Sequence, residues 1–173
     1  MTDQDDVYER MIKPIEDQMI RSVWRVVRNS EDVNDAFQDA LAGIWKRWGR
    51  IQNHANPRAL ILRICIHAAY DNLRRKARER KSEALEAMIA DPAGGAADRI
   101  EAEERKTALC AAISRLPKTQ GLAVHLRFIE EQSYEAIARA LGCREISARK
   151  LVSRAVKKLR MILQRQTNEI SVL

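Results

Sequence analysis

The chain has 173 residues, 46% of them hydrophobic, with only six glycines and four prolines, which leaves room for one ordinary domain or two small ones around a packed core. Its net charge of +7 points towards an anionic partner such as nucleic acid. Three scattered cysteines (Cys65, Cys110, Cys143) and three scattered histidines (His54, His67, His125) argue against a disulfide framework and a zinc site, so neither metal nor cofactor is expected.

The acidic N-terminus (Asp3, Asp5, Asp6) lacks the basic start and apolar run of a signal peptide. No stretch approaches a membrane span, and a cytoplasmic location without membrane insertion is expected. Residues 6 to 28 carry Met11, Ile15, Met19, Val23, Trp24 and Val27 at helical spacing, with Pro14 expected to kink that helix or to open a new one. Ser30, followed by Glu31 and Asp32, is the expected cap of the next helix. That helix has an apolar stripe of Val33, Phe37, Leu41, Ile44 and Trp48, with Ala40 and Trp45 alongside. Asn34, Asp35, Gln38, Asp39 and Lys46 lie opposite, and the polar segment from Gly49 to Ala55 reads as a loop.

Asn56 and Pro57 supply a cap and first residue for a third helix. Leu62, Ile66, Ala69 and Leu73 form its stripe, widened by Leu60, Ile61, Ile64, Cys65 and Ala68. Beyond Tyr70 it turns basic: Arg74, Arg75, Lys76, Arg78, Arg80 and Lys81 are more cations than the helix dipole alone calls for. Residues 83–104 read as a flexible acidic linker, with Asp91-Pro92-Ala93-Gly94-Gly95-Ala96 as the clearest breaker cluster and a short helix possible over Ser82 to Ile89. The charge is blocked accordingly. Arg58 to Lys81 holds eight Lys/Arg against two acids, Ser82 to Leu109 seven acids against three bases, and Arg144 to Arg165 eight Lys/Arg against one acid. Two nucleic-acid surfaces on two modules are the simplest reading.

A second helical module starts near Ile100, with Leu109, Ile113 and Leu116 on one helix and Leu122, Val124, Leu126, Phe128 and Ile129 on another opened by Pro117. Ser133 caps a short helix, Gly142 provides a turn needing positive φ, and a long basic helix follows to about Leu163. Ala138 permits close helix approach, and Ile137, Leu141, Ala148 and Val152 are a candidate shared core. Ser147, Arg149, Lys150, Ser153 and Arg154 then fall on or near the outer face, the arrangement of a helix-turn-helix whose second helix enters a major groove. The same pattern also suits a helical hairpin with a solvated basic face.

The two halves together resemble the extracytoplasmic-function (ECF, group IV) sigma factors of the bacterial sigma-70 family. Asp32 to Leu41 is similar to the D-x-x-D-x-x-Q-[DE]-x-[FL] helix of region 2. Asn56 to Ile64 is similar to NPRAWL-x-RIA and leads into Asp71-Asn72-Leu73-Arg74-Arg75, like D-x-[LF]-R-R. Leu116-Pro117 with Tyr134 to Arg160 resembles region 4. The resemblance implies an all-α protein of two small helical domains joined by the linker, region 2 over 1–82 and region 4 over 105–168. It implies a factor that binds core RNA polymerase, recognises promoters and initiates transcription, and is not an enzyme. Asp35, Gln38 and Asp39 would contact the β′ clamp helices. Asn53, His67, Arg74, Arg75, Lys76 and Arg78 would serve minus-10 DNA. Ser147, Arg149, Lys150, Ser153, Arg154 and Lys157 would serve minus-35 DNA. The β flap and an anti-sigma factor are further implied partners.

Leu151 stands where relatives often have arginine, so a different base preference is expected. The run from Ser147 to Val156 is closer to the iron-starvation (FecI-like) branch. A stand-alone helix-turn-helix regulator is the alternative; an enzyme acting on nucleic acid lacks any carboxylate, His or Cys constellation of suitable spacing.

Overall fold

The computed structural model describes residues 8–86 and 97–170, and among them the chain is helical with no strand. It forms two compact units, the first ending at Tyr70 and the second starting at Asp71.

In the first unit a π-helical turn (Tyr8–Ile12) and a 3-10 turn (Lys13–Ile15) precede helix α1 (Glu16–Val27). Pro14 lies within that 3-10 turn, where its missing N–H breaks the run as expected. Ile12, Ile15, Met19, Val23, Val26 and Val27 are buried, whereas Trp24 is 45% exposed and belongs to the outer surface. The α1 C-terminus closes on Arg28 in the left-handed conformation, its N–H donating to the Trp24 carbonyl.

Helix α2 (Ser30–Trp45) is capped one residue earlier than expected. Asn29 is extended, its Oδ1 accepts from the Asp32 N–H at 2.8 Å, and its Nδ2 donates back to the Asp32 carboxylate, so Ser30 is already helical. The buried stripe is Val33, Ala36, Phe37, Ala40 and Ile44. Leu41 lies at its margin, half-buried, while Trp48, expected on this stripe, falls beyond the end of α2 and opens the short helix that follows. Gly43 lets α2 approach the next long helix, since a Cβ there would stand 3.3 Å from Ile64 Cγ2. The segment expected as a loop contains a short helix, α3 (Trp48–Gln52). Fully buried Ile51 anchors it among polar neighbours.

Helix α4 (Pro57–Glu86) begins as expected, Asn56 Oδ1 accepting from the Ala59 N–H. Its buried residues in the first unit are Ile61, Cys65, Ile66, Ala69 and Tyr70, a stripe centred one position earlier than Leu62 and Leu73, which are half-buried. The Arg58 guanidinium reaches back to Gln18 Oε1 of α1 at 2.6 Å. At the expected linker, Ser82 to Glu86 continue α4, and residues 97–104 open the next helix. Residues 87–96, including the Asp91 to Ala96 cluster, lie outside the described residues.

In the second unit, α5 (Ala97–Ser114), α6 (Lys118–Phe128), α7 (Tyr134–Leu141) and α8 (Glu145–Ile170) pack through Cys110, Ile113, Leu116, Leu122, Val124, Ile137, Ala148, Val152, Ala155 and Leu159. Ser133 Oγ accepts from the Ala136 N–H at 3.1 Å. Gly142 has φ +66°, and Cys143 N–H closes onto the Ala138 carbonyl at 3.0 Å, the left-handed helix stop expected there.

Candidate nucleic-acid interface

The long basic helix α8 divides by its 3.6-residue period. Ala148, Val152, Ala155 and Leu159 recur at three- and four-residue intervals and are buried at 0 to 8% exposure. Ser147, just before them, and Arg149, Lys150, Ser153, Arg154 and Lys157, between them, are all exposed, so the six side chains expected on minus-35 DNA share one solvent face. Fold and site therefore come from one constraint: the apolar residues that seat α8 on α7 leave the cations turned outward. Leu151 is half-buried at the margin.

Helix α7 holds α8 through Ile137, Ala138 and Ala148, with Leu126, Tyr134 and Leu141 packed around them. At the entrance of α8, Arg149 donates from Nε at 3.0 Å and Nη2 at 2.6 Å to Glu145 Oε1, one turn earlier. Its Cζ stands 4.4 Å from the Tyr134 ring centroid, and Arg127 stands 5.0 Å from the same ring. Sequence reading missed Tyr134 as a partner of Arg149. The spacing of four marks the Glu145–Arg149 pair in the sequence, whereas no local spacing marks Tyr134.

The expected polymerase face is exposed on α2: Asp35, Gln38 and Asp39 lie outward, opposite Val33, Ala36, Phe37 and Ala40. Of the expected minus-10 residues in the first unit, Asn53 is exposed, with Nδ2 donating to the Gly49 carbonyl at 2.7 Å, and His67 is half-buried. Arg75 and Arg78 of the second unit are exposed, and Lys76 is half-buried.

Arg74 behaves differently. Its Nε donates to the Ser114 carbonyl at 2.6 Å, its Nη2 to the Leu116 carbonyl at 3.3 Å, and its Nη1 to Asp71 at 2.7 Å. It thus occupies carbonyls at the C-terminus of α5, where a cation is electrostatically favoured. Asp71 also accepts from Lys118 Nζ at 2.7 Å. Partial burial pulls the Asp71 carboxyl up, but the Lys118 and Arg74 hydrogen bonds and charges outweigh it and hold the group below its ordinary range.

None of the three cysteines forms a disulfide; Cys143 is exposed, Cys110 is buried, and burial pushes the Cys65 thiol up to about 12. Among the described residues no cluster of His, Cys, Asp or Glu suits a metal ion, and no helix is long and apolar enough to cross a membrane.

A short helix, a glycine turn and a basic-faced helix locked on a small apolar core form a helix-turn-helix, the arrangement of many DNA-binding proteins. Residues 11–79 match the family described as Sigma-70 region 2, and residues 107–159 match Sigma-70, region 4. The chain is 29% identical over 154 residues to the RNA polymerase sigma-E factor of Streptomyces coelicolor, covering 88% of this chain and 84% of that one. It is 29% identical over 156 residues to the ECF RNA polymerase sigma factor SigM of Mycobacterium tuberculosis, covering 90% and 76%. The fold is similar, at TM-score 0.50 and 20% identity, to that of the sigma factor RpoE of Bartonella quintana, solved in complex with the anti-sigma factor NepR; the match covers 91% of this chain and 96% of that one. This chain belongs to the sigma-70 family, in its ECF group. It is a sigma factor rather than a stand-alone regulator, and its function is promoter recognition and transcription initiation with core RNA polymerase.

Proposed function

We propose that this sigma factor reads promoters in two parts. The outer face of α8 reads the minus-35 element, while Asn53, His67 and the basic half of α4 serve the minus-10 element. The observation that carries this is the exposure of Ser147, Arg149, Lys150, Ser153, Arg154 and Lys157 on one face of a helix whose other face is buried. Arginine matches guanine O6 and N7 bidentately, so Arg149 and Arg154 are the base-reading candidates, with Lys157 and Lys158 on phosphates. Displacement of counterions from phosphates and base contacts supply the binding energy; no residue is assigned a covalent step, and the protein acts as a binding factor, not an enzyme.

Asp35, Gln38 and Asp39 contact the β′ clamp helices of the polymerase. The β flap is received by a groove of about 480 Å³ where Phe128, 56% exposed, lies beside Val152 and Val156. For Arg74 to neutralise a phosphate near the minus-10 duplex, its bonds to the Ser114 and Leu116 carbonyls must open. An anti-sigma partner and a cytoplasmic location complete the reading.

The test is run-off transcription by the holoenzyme on promoters with altered minus-35 sequences. Arg149→Ala with Lys150→Ala is expected to flatten the preference among them while core binding persists. An unchanged preference overturns the assignment of the α8 face.

A further inference from the structure

An exposed arginine is a poor reader unless something limits where its guanidinium points, because each flexible side chain loses rotamer freedom on binding. Arg149 is 58% exposed yet held from two sides. Glu145 Oε1 accepts from both Nε and Nη2, which occupies one edge of the planar group. The Tyr134 ring, 4.4 Å from Cζ, limits its tilt. Tyr134 is itself seated against the Ile137, Ala138 and Ala148 core, so the platform does not depend on solvent-exposed neighbours.

The geometry leaves a specific remainder. A guanidinium has five N–H donors in a fixed fork. With the Nε/Nη2 edge taken by Glu145, the Nη1/Nη2 end still carries one outward hydrogen on each nitrogen. That pair has the spacing that meets guanine O6 and N7. Glu145 lies in the first turn of α8, where its charge suits the helix dipole, so holding Arg149 does not strain the helix.

We propose that Glu145 and Tyr134 are positioning residues that hold the Arg149 guanidinium end-on for one guanine of the upstream promoter element. This rests on the reading of α8 as the minus-35 reader. The carboxylate works against general affinity, because it adds a negative charge near DNA phosphates. Its contribution is to discrimination between bases.

The experiment measures transcription by the holoenzyme on a promoter library randomised across the upstream element, and reports the preference at each position separately. Arg149→Ala is expected to lower the preference for guanine at one position by about tenfold or more. Glu145→Ala and Tyr134→Leu are expected to lower it by about threefold at that same position, while Tyr134→Phe, which keeps the ring face, retains it. Glu145→Ala is also expected to bind all sequences as tightly as the parent or tighter. Full preference in both Glu145→Ala and Tyr134→Leu, with loss in Arg149→Ala, overturns the positioning role and leaves base reading by Arg149 standing. No change in Arg149→Ala overturns both. A uniform loss at every position in Tyr134→Leu counts as a packing defect and against the proposal for that residue. Should Tyr134→Leu fail to fold, the exposed Glu145→Ala decides the outcome alone.

Discussion

Gly142 offers a sharp energetic test of how the recognition helix is aimed. Its φ of +66° lies in the left-handed region, and a Cβ built there meets no atom within 4 Å. Gly142→Ala therefore adds no steric clash, and its cost is the backbone conformation alone, about 1–2 kcal/mol. For a unit of this size that is a fall in Tm of roughly 4–10 °C, read by far-UV circular dichroism on the full chain. Gly142→Asn is expected to lose about half as much, since asparagine visits this conformation with local hydrogen bonding. The contrast with Gly121 is instructive: there φ is ordinary, but a Cβ would press to 3.3 Å on the Ile113 carbonyl. If Gly142→Ala matches the parent in Tm, or if asparagine is no better than alanine, the turn does not depend on positive φ and this account of the helix stop fails.

Asp35→Ala with Gln38→Ala is expected to weaken competition for core polymerase against another sigma factor without lowering stability by more than about 1 kcal/mol, because both residues are exposed; equal competition counts against that face. Lys157→Ala and Lys158→Ala should each weaken holoenzyme binding similarly across promoter sequences and reduce the slope of log affinity against log salt by about 1; an unchanged slope removes that lysine from the phosphate contacts. Native maleimide labelling should modify Cys143 and leave Cys65 and Cys110 until the chain unfolds; prompt labelling of all three contradicts the described burial. Asn72 is 1% exposed with no partner for its amide, so Asn72→Leu is expected to hold or raise Tm; a clear fall shows that a bound water or neighbour satisfies it.

Local chemistry was the legible part of the fold. Asn56, Ser133 and Gly142 each carry a side-chain or backbone preference strong enough to mark a helix boundary unaided. At Asn29 and Ser30 two good capping residues stand in succession, and the extended backbone of Asn29 decides between them. The turn around Ile51 is too short for a 3.6-residue pattern to emerge, so a single buried side chain inside polar neighbours escaped notice. Trp24 reads in the sequence as part of the apolar run with Met19, Val23 and Val27, yet Met19, Val23 and Val26 take the buried face and Trp24 lies outside it. The outer face of α8 was legible because burial of Ala148 and Val152 fixes it. Arg74 and Tyr134 were not, because their partners lie well away along the chain: Arg74 meets carbonyls 40 and 42 residues on, and Tyr134 meets Arg149 across the turn.

This chain is expected to make core RNA polymerase start at particular promoters through a two-part contact. Sequencing the 5′ ends of transcripts made on genomic DNA, with core polymerase alone and with this protein added, tests it most directly. New start sites that share an upstream and a downstream element are expected, with the upstream preference flattened by Arg149→Ala and Lys150→Ala. Start sites identical to those of core polymerase alone would contradict it.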